Sequence, residues 1–203
     1  MSRRLFIGSV LESNEQNDAA KLRQIWEPSF AKEWSGCHLR WVRPNKLHIT
    51  WLFFGSCNEV QEVEIRARIS ELVATFQKSN KTDSQYYLSY SRLEIFGSSL
   101  RPTALVLTPL AVPDELTHLA GRIRQELSQL CEKPQEHEFR PHLTLLRFPR
   151  DYHREVRVPD ELKDSPLLPL KQNISELSLI ESHLGSKNDT YMSLTSFRLA
   201  AEI

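Results

Sequence analysis

Residues 45–55 read "NKLHITWLFFG" and residues 139–149 read "FRPHLTLLRFP". Each places a histidine two positions before a threonine inside an apolar run: His48 with Thr50, and His142 with Thr144. Short apolar runs of this kind predict buried strands. Side chains on a strand alternate faces, so His48 and Thr50 point one way together, as do His142 and Thr144. Ile49 and Trp51 point the other way, and so do Leu143 and Leu145. Each strand therefore buries one face and presents an imidazole and a hydroxyl on the other. For seven histidines and nine threonines, chance placement gives two or more H-x-T pairs about 4% of the time. Matching apolar flanks make coincidence less adequate still.

Upstream, residues 4–11, "RLFIGSVL", predict a first strand. A helix is expected from about Glu15 to Trp34, with Pro28 interrupting it or ending it early. Residues 58–78 form the clearest helix of the first half. Ile65, Ile69, Leu72, Val73 and Phe76 share one face, and Asn58 with Gln61 fits an N-terminal capping pair. Residues 84–97 predict a strand and "SSLRP" a turn. The second half starts the same way, with a strand at 103–110 and a helix at 113–130. That helix carries Leu116, Leu119, Ala120, Ile123, Leu127 and Leu130 on one stripe. The strand "HLTLLRF" follows. Residues 149–169, with several prolines and charges, predict a loop. Residues 174–185 and 190–200 predict a terminal hairpin joined through "SKND".

The two halves share an order of strand, helix, H-x-T strand, connection, strand and turn. "SRLEIFGSSL" even parallels "SELSLIESHL". One domain over residues 1–203 is expected, with an internal duplication dividing at about 97/98. A duplicated unit tends to be pseudo-two-fold, which would set His48 and His142 across one cleft.

Composition narrows the classes. The chain has 203 residues, 40% hydrophobic and 26% charged, with 26 basic side chains against 26 acidic. That is ample for a buried core, and it excludes a globally basic nucleic-acid coat or a polybasic membrane anchor. Any anion must be held by local chemistry. Cys37, Cys57 and Cys131 are odd in number and form no CxxC pair, so a reducing cytoplasm is expected. The N-terminal apolar stretch is too short for a signal peptide and runs into acidic residues. No apolar run approaches the ~20 residues that span a membrane.

Two imidazoles facing one reacting group suit in-line displacement at phosphorus. One removes a proton from the attacking oxygen while the other protonates the leaving oxygen, each step worth ~10²–10⁴-fold. The threonine hydroxyls can donate to the non-bridging oxygens, where charge grows. No cofactor is needed. A zinc site would want a third or fourth ligand, and no Asp, Glu or Cys stands near either motif at suitable spacing.

The chain resembles the two-histidine phosphoesterase superfamily, and within it the RNA 2′,3′-cyclic phosphodiesterases related to bacterial 2′-5′ RNA ligase. "RLFIGSVL", "WVRPNKLHITWLFFG", "LEIFGSSLRPTALVL", "FRPHLTLLRFP" and "LSLIESHLGSKNDTYMSLTSFRLA" carry the likeness across the chain. The resemblance implies an α+β fold of two pseudo-symmetric lobes, each an antiparallel-rich sheet with outer helices, and an active-site cleft between them. It implies hydrolysis of a terminal 2′,3′-cyclic phosphate to a 2′-phosphate. By that likeness His48 is the proton donor, His142 the proton acceptor, and Thr50 and Thr144 bind substrate. The implied partner is an RNA with a cyclic phosphate end or a small cyclic nucleotide, acted on by a monomer. Trp51 departs from the family's usual leucine, as does "GSCNE" from its commoner turn, with altered packing the expected result. A related 2′-5′ ligation or cleavage, or a non-catalytic RNA-end binding module, are the competing readings.

Further candidates are weaker. Arg147 lies five residues after His142, so strict alternation sends it to the other face unless a bulge or twist returns it. Arg101 precedes Pro102 in a turn. Phe54 and Phe148 share the parity of their histidines and could stack on a base, although burial competes. His38, His118, His137, His153 and His183 lack a threonine partner. Trp26, Trp34 and Trp41 fit core or inter-lobe packing.

Overall fold

The protein is described as a computed structural model, over residues 2–35, 39–80, 85–98, 100–133, 138–163, 169–183 and 190–200. In chain order the elements are β1 (Arg3–Val10), α1 (Ser13–Glu33), β2 (Arg40–Trp41), a 3-10 turn (Pro44–Lys46) and β3 (His48–Cys57). Next come α2 (Glu59–Ser79), β4 (Tyr87–Ser98), β5 (Arg101–Pro109), α3 (Asp114–Leu127) and a second 3-10 turn (Ser128–Leu130). The chain continues with β6 (Leu143–Arg147), α4 (Asp160–Lys163), β7 (Leu170–Asn173), β8 (Glu176–His183) and β9 (Thr190–Arg198).

The strands form two antiparallel sheets, ordered β3-β1-β8-β9 and β2-β6-β5-β4-β7. With helices packed outside, this is the expected α+β fold in two lobes. Each half of the chain lends strands to both sheets. β4 pairs with β5 and β7, whereas β8 pairs back onto β1 and carries β9 at its other edge. The predicted terminal hairpin is present as β8–β9, although its "SKND" connection lies outside the described residues.

α1 differs from expectation: it runs through Pro28 without a break. A proline inside a helix forfeits a hydrogen bond and costs about 3 kcal/mol. Its neighbours explain the tolerance. Ala19, Leu22, Trp26 and Phe30 form a buried stripe on either side of Pro28. Burying a large apolar side chain contributes about 1.5–3 kcal/mol, so Trp26 and Phe30 together offset the loss. α2 follows the reading closely. Asn58 Oδ1 accepts from the Gln61 N–H at 2.9 Å, and Gln61 Oε1 accepts from the Asn58 N–H at 2.9 Å. Such a reciprocal cap contributes about 1 kcal/mol. The stretch read as a loop at 149–169 contains the short helix α4, with residues 164–168 outside the described set. Two short strands, β2 and β7, had no periodic signal to announce them.

A buried polar chain joins the sheets. Tyr90 Oη on β4 donates to Gln172 Oε1 on β7 at 2.6 Å. Gln172 Nε2 donates to the Ser9 carbonyl on β1 at 3.1 Å, and Trp51 Nε1 on β3 donates to Ser9 Oγ at 3.0 Å. Trp51 also stacks on Phe139, with ring centroids 4.7 Å apart. Among the described residues no helix is long and apolar enough to cross a membrane.

Candidate active site

The two H-x-T strands share one irregularity. Gly8 on β1 faces Thr50, but the next partner, Ile7, faces Leu52, so Trp51 is skipped. Val106 on β5 faces Thr144, and Leu105 faces Leu146, so Leu145 is skipped. An extra residue in one strand of a pair reverses the alternation beyond it. The skip falls one position after the threonine in both strands. It returns Arg147 to the face of His142 and Thr144. It also turns Phe54 and Phe148 into the core, where they are 0% and 6% exposed. Their expected parity with the histidines is thereby corrected.

His48 opens β3, and His142 immediately precedes β6. Each ring is held in the same way. His48 Nδ1 lies 2.8 Å from the Lys46 carbonyl oxygen, and His142 Nδ1 lies 2.8 Å from the Arg140 carbonyl oxygen. A carbonyl only accepts, so Nδ1 carries the hydrogen in both rings and Nε2 is left for a substrate. Proline lies near each tether: Pro44 starts the 3-10 turn ending at Lys46, and Pro141 stands between Arg140 and His142.

Aromatic side chains wall the rings. Phe6 lies 4.9 Å from His48 and Tyr191 lies 5.0 Å away edge-on, while Phe96 lies 4.7 Å from His142. Burial lowers the pKa of His48 to about 4; the Lys46 carbonyl opposes this, and the charges of Arg147 and His142 add to it. His142 is lowered in the same direction, first by burial, with Arg140 and Arg147 adding and the Arg140 carbonyl and Glu94 opposing. His48 thus senses the charge of His142 from the other sheet, and Arg147 acts on both rings. Both rings are therefore biased towards the neutral imidazole in the free protein.

His48, Thr144, Arg147, Lys46, Val42 and Tyr191 line one small, open pocket. Thr50 is half-buried on the His48 face of β3, opposite Gly8. Gly8 leaves no room for a side chain, since a Cβ there would meet Phe6 at 2.9 Å and the Ile49 carbonyl at 3.0 Å. A second network supports His142. Glu94 on β4 accepts from Thr108 Oγ1 at 2.5 Å and pairs with Arg140, whose guanidinium covers the Phe96 ring at 4.9 Å.

Arg101 is exposed at the tip of the β4–β5 hairpin, its backbone N–H bonded to Ser98 Oγ at 3.0 Å. His118 and His153 are exposed, and His183 lies 3.4 Å from Glu181. His38, His137 and Cys37 lie outside the described residues. Trp26 and Trp34 are core residues, and Trp41 packs 6.0 Å from Phe30. Among the described residues, no three His, Cys, Asp or Glu side chains gather as a metal site would require. Sequence reasoning missed Tyr191, Phe6, Phe96 and Lys46. Phe6 alone had a signal, standing two residues before Gly8 on the cleft face of its strand.

Known proteins share this fold. The sequence matches the 2′-5′ RNA ligase superfamily over residues 15–186. It is 24% identical to the RNA 2′,3′-cyclic phosphodiesterase of Aquifex aeolicus, over 79% of this chain and 81% of that protein. It is 32% identical to the enzyme of that name from Archaeoglobus fulgidus, over 59% of this chain and 62% of the other. The fold is similar to E. coli LigT in complex with 3′-AMP, with a TM-score of 0.72 at 21% identity, covering 99% of this chain and 100% of that one. A Thermus thermophilus protein superposes with a TM-score of 0.68 at 22% identity, covering 98% and 100% of the two chains. With its family match spanning most of the sequence, the chain belongs to the 2′-5′ RNA ligase superfamily.

Proposed function

We propose that the protein hydrolyses the 2′,3′-cyclic phosphate at an RNA end to a 2′-phosphomonoester, by acid–base catalysis without a metal. The observation that carries this reading is the matched tethering of His48 and His142, which reserves Nε2 of each ring for proton transfer. The names borne by the Aquifex and Archaeoglobus relatives support the same chemistry.

In this mechanism the cyclic phosphate enters between the rings. His142 Nε2 takes a proton from water as its oxygen attacks phosphorus. The bond from phosphorus to the 3′ oxygen breaks in line with that attack, and His48 gives its proton to the departing oxygen. Phosphorus stays on the 2′ oxygen. Thr50, Thr144 and Arg147 donate to the non-bridging oxygens as their charge rises. The depressed pKa of His48 calls for a source of its proton. The phosphate anion supplies the field, since a negative charge beside the ring favours imidazolium. With a 5′-hydroxyl leaving or attacking in place of water, the same apparatus would cleave or form a 2′-5′ linkage. Retention of both histidines and both threonines speaks against a module that only binds RNA ends.

The reading further makes the protein a cytoplasmic monomer, in keeping with the unpaired Cys57 and Cys131. It includes an internal duplication in which the equivalent strands β4 and β8 are exchanged. The matching runs β3-β1-β8 in one sheet and β6-β5-β4 in the other support that reading.

Incubation with a short RNA ending in a 2′,3′-cyclic phosphate, followed by phosphorus NMR of the product, tests the proposal. A 2′-phosphate is expected. A predominant 3′-phosphate would exchange the roles of the two histidines, and no turnover would overturn the reading.

A further inference from the structure

β2 is two residues long, yet it is firmly rooted. The Val42 N–H donates to the Leu145 carbonyl at 2.8 Å, and Trp41 packs on the α1 side, with the Arg23 guanidinium 5.4 Å from its ring. Arg40 faces Arg147 directly across the β2–β6 ladder. Residues opposite one another in an antiparallel pair project from the same face. Arg147 lines the pocket with His48 and Thr144. Arg40 therefore stands on the cleft face, one strand beyond Arg147.

Continuing across the sheet, Arg147 faces Ala104 on β5, and Ala104 faces Phe96 on β4. The row reads guanidinium, guanidinium, methyl group, aromatic ring, and its aromatic end touches His142. Like charges placed directly opposite in a ladder are destabilising. Among the described residues neither Arg40 nor Arg147 has an acidic partner, although the chain as a whole is electrically neutral. A fold gains nothing from such a pair unless an anion comes to it. One phosphate occupies Arg147 in the proposed mechanism. The second guanidinium, rooted about 5 Å further out, is placed for another.

We propose that Arg40 binds a second phosphate, the internal phosphodiester next to the reacting end, so that the site takes an oligonucleotide end in preference to a cyclic mononucleotide. This rests on the proposed reading of the site as an RNA-end phosphodiesterase. Arg147 grips the reacting phosphate, and Arg40 the phosphate of the preceding linkage.

The test compares wild type with Arg40→Gln and Arg40→Lys on three substrates. These are a 2′,3′-cyclic mononucleotide, a dinucleotide ending in the cyclic phosphate, and the same dinucleotide with a neutral methylphosphonate linkage. Arg40→Gln should lower kcat/KM on the charged dinucleotide about 10-fold more than on the mononucleotide. That extra loss should vanish on the neutral linkage, and Arg40→Lys should recover part of it. The variant should melt no lower than wild type, because it removes a like-charge neighbour. Equal losses on all three substrates, or no loss on the dinucleotide, would overturn the proposal. Should wild type turn over none of them, the phosphodiesterase reading fails, and binding of labelled RNA then decides on Arg40. Weaker binding by Arg40→Gln, with a salt slope shallower by about 0.7, supports a phosphate contact. Unchanged binding and slope overturns it.

Discussion

Gln172 Nε2 donates to the Ser9 carbonyl at 3.1 Å, across the boundary between the two sheets. Gln172 is fully buried on β7, and its Oε1 accepts from Tyr90. Ser9 neighbours Gly8, the residue paired with Thr50. This contact fixes the sheet that carries His48 relative to the sheet that carries His142. Replacing Gln172 by Leu strands the Tyr90 hydroxyl and takes from the Ser9 carbonyl its bond across the sheets. The expected loss is about 2–4 kcal/mol in urea unfolding. A change below ~0.5 kcal/mol would mean that the chain of polar groups does not hold the lobes together.

His48→Ala and His142→Ala should each reduce turnover by about 10²–10⁴-fold while leaving circular dichroism unchanged. In the proposed mechanism neither ring can replace the other, because one gives a proton and one takes it. Near-normal rates in either folded variant would sink the two-histidine mechanism. Thr50→Ala and Thr144→Ala should cost about 10–1000-fold, because in the proposed mechanism each removes a donor to developing charge.

The pH profile should be bell-shaped and displaced towards acid. Both histidines have lowered pKa values in the free protein, His48 to about 4 and His142 below its ordinary 6.5. The kcat/KM profile follows the free enzyme, so its maximum should lie on the acid side of pH 6.5. Bound phosphate favours the charged rings, so the kcat maximum should sit at higher pH than that of kcat/KM. The same shifts act on stability. Below pH 6.5 the unfolded histidines take up protons that the folded ones resist, so these residues erode stability as pH falls from 6.5 towards 4. Coincident kcat and kcat/KM profiles centred above about pH 7 would contradict the electrostatic picture.

Dialysis against a strong chelator should leave activity intact. The expectation rests on the Nδ1 tethers and on the absence of a third ligand beside either ring among the described residues. Loss of activity restored by zinc or manganese would refute it.

The strands that carry His48 and His142, the helices α2 and α3 with their buried stripes, and the capping pair Asn58–Gln61 were all legible in the amino-acid sequence. These are local or short-period signals, and burial of an apolar face follows directly from them. The face taken by the distal residues is a different matter, settled by tertiary pairing alone. Skipping Trp51 and Leu145 depends on the register with β1 and β5, so Arg147 reaches the pocket and Phe54 and Phe148 leave it. Pro28 looked like a helix terminator because its cost is local, whereas the compensating burial of Trp26 and Phe30 comes from distant residues. Tyr191 reaches the pocket, and Arg40 its place opposite Arg147, through pairings that join segments far apart in the chain. Strand pairing is a long-range choice that no period in the sequence encodes.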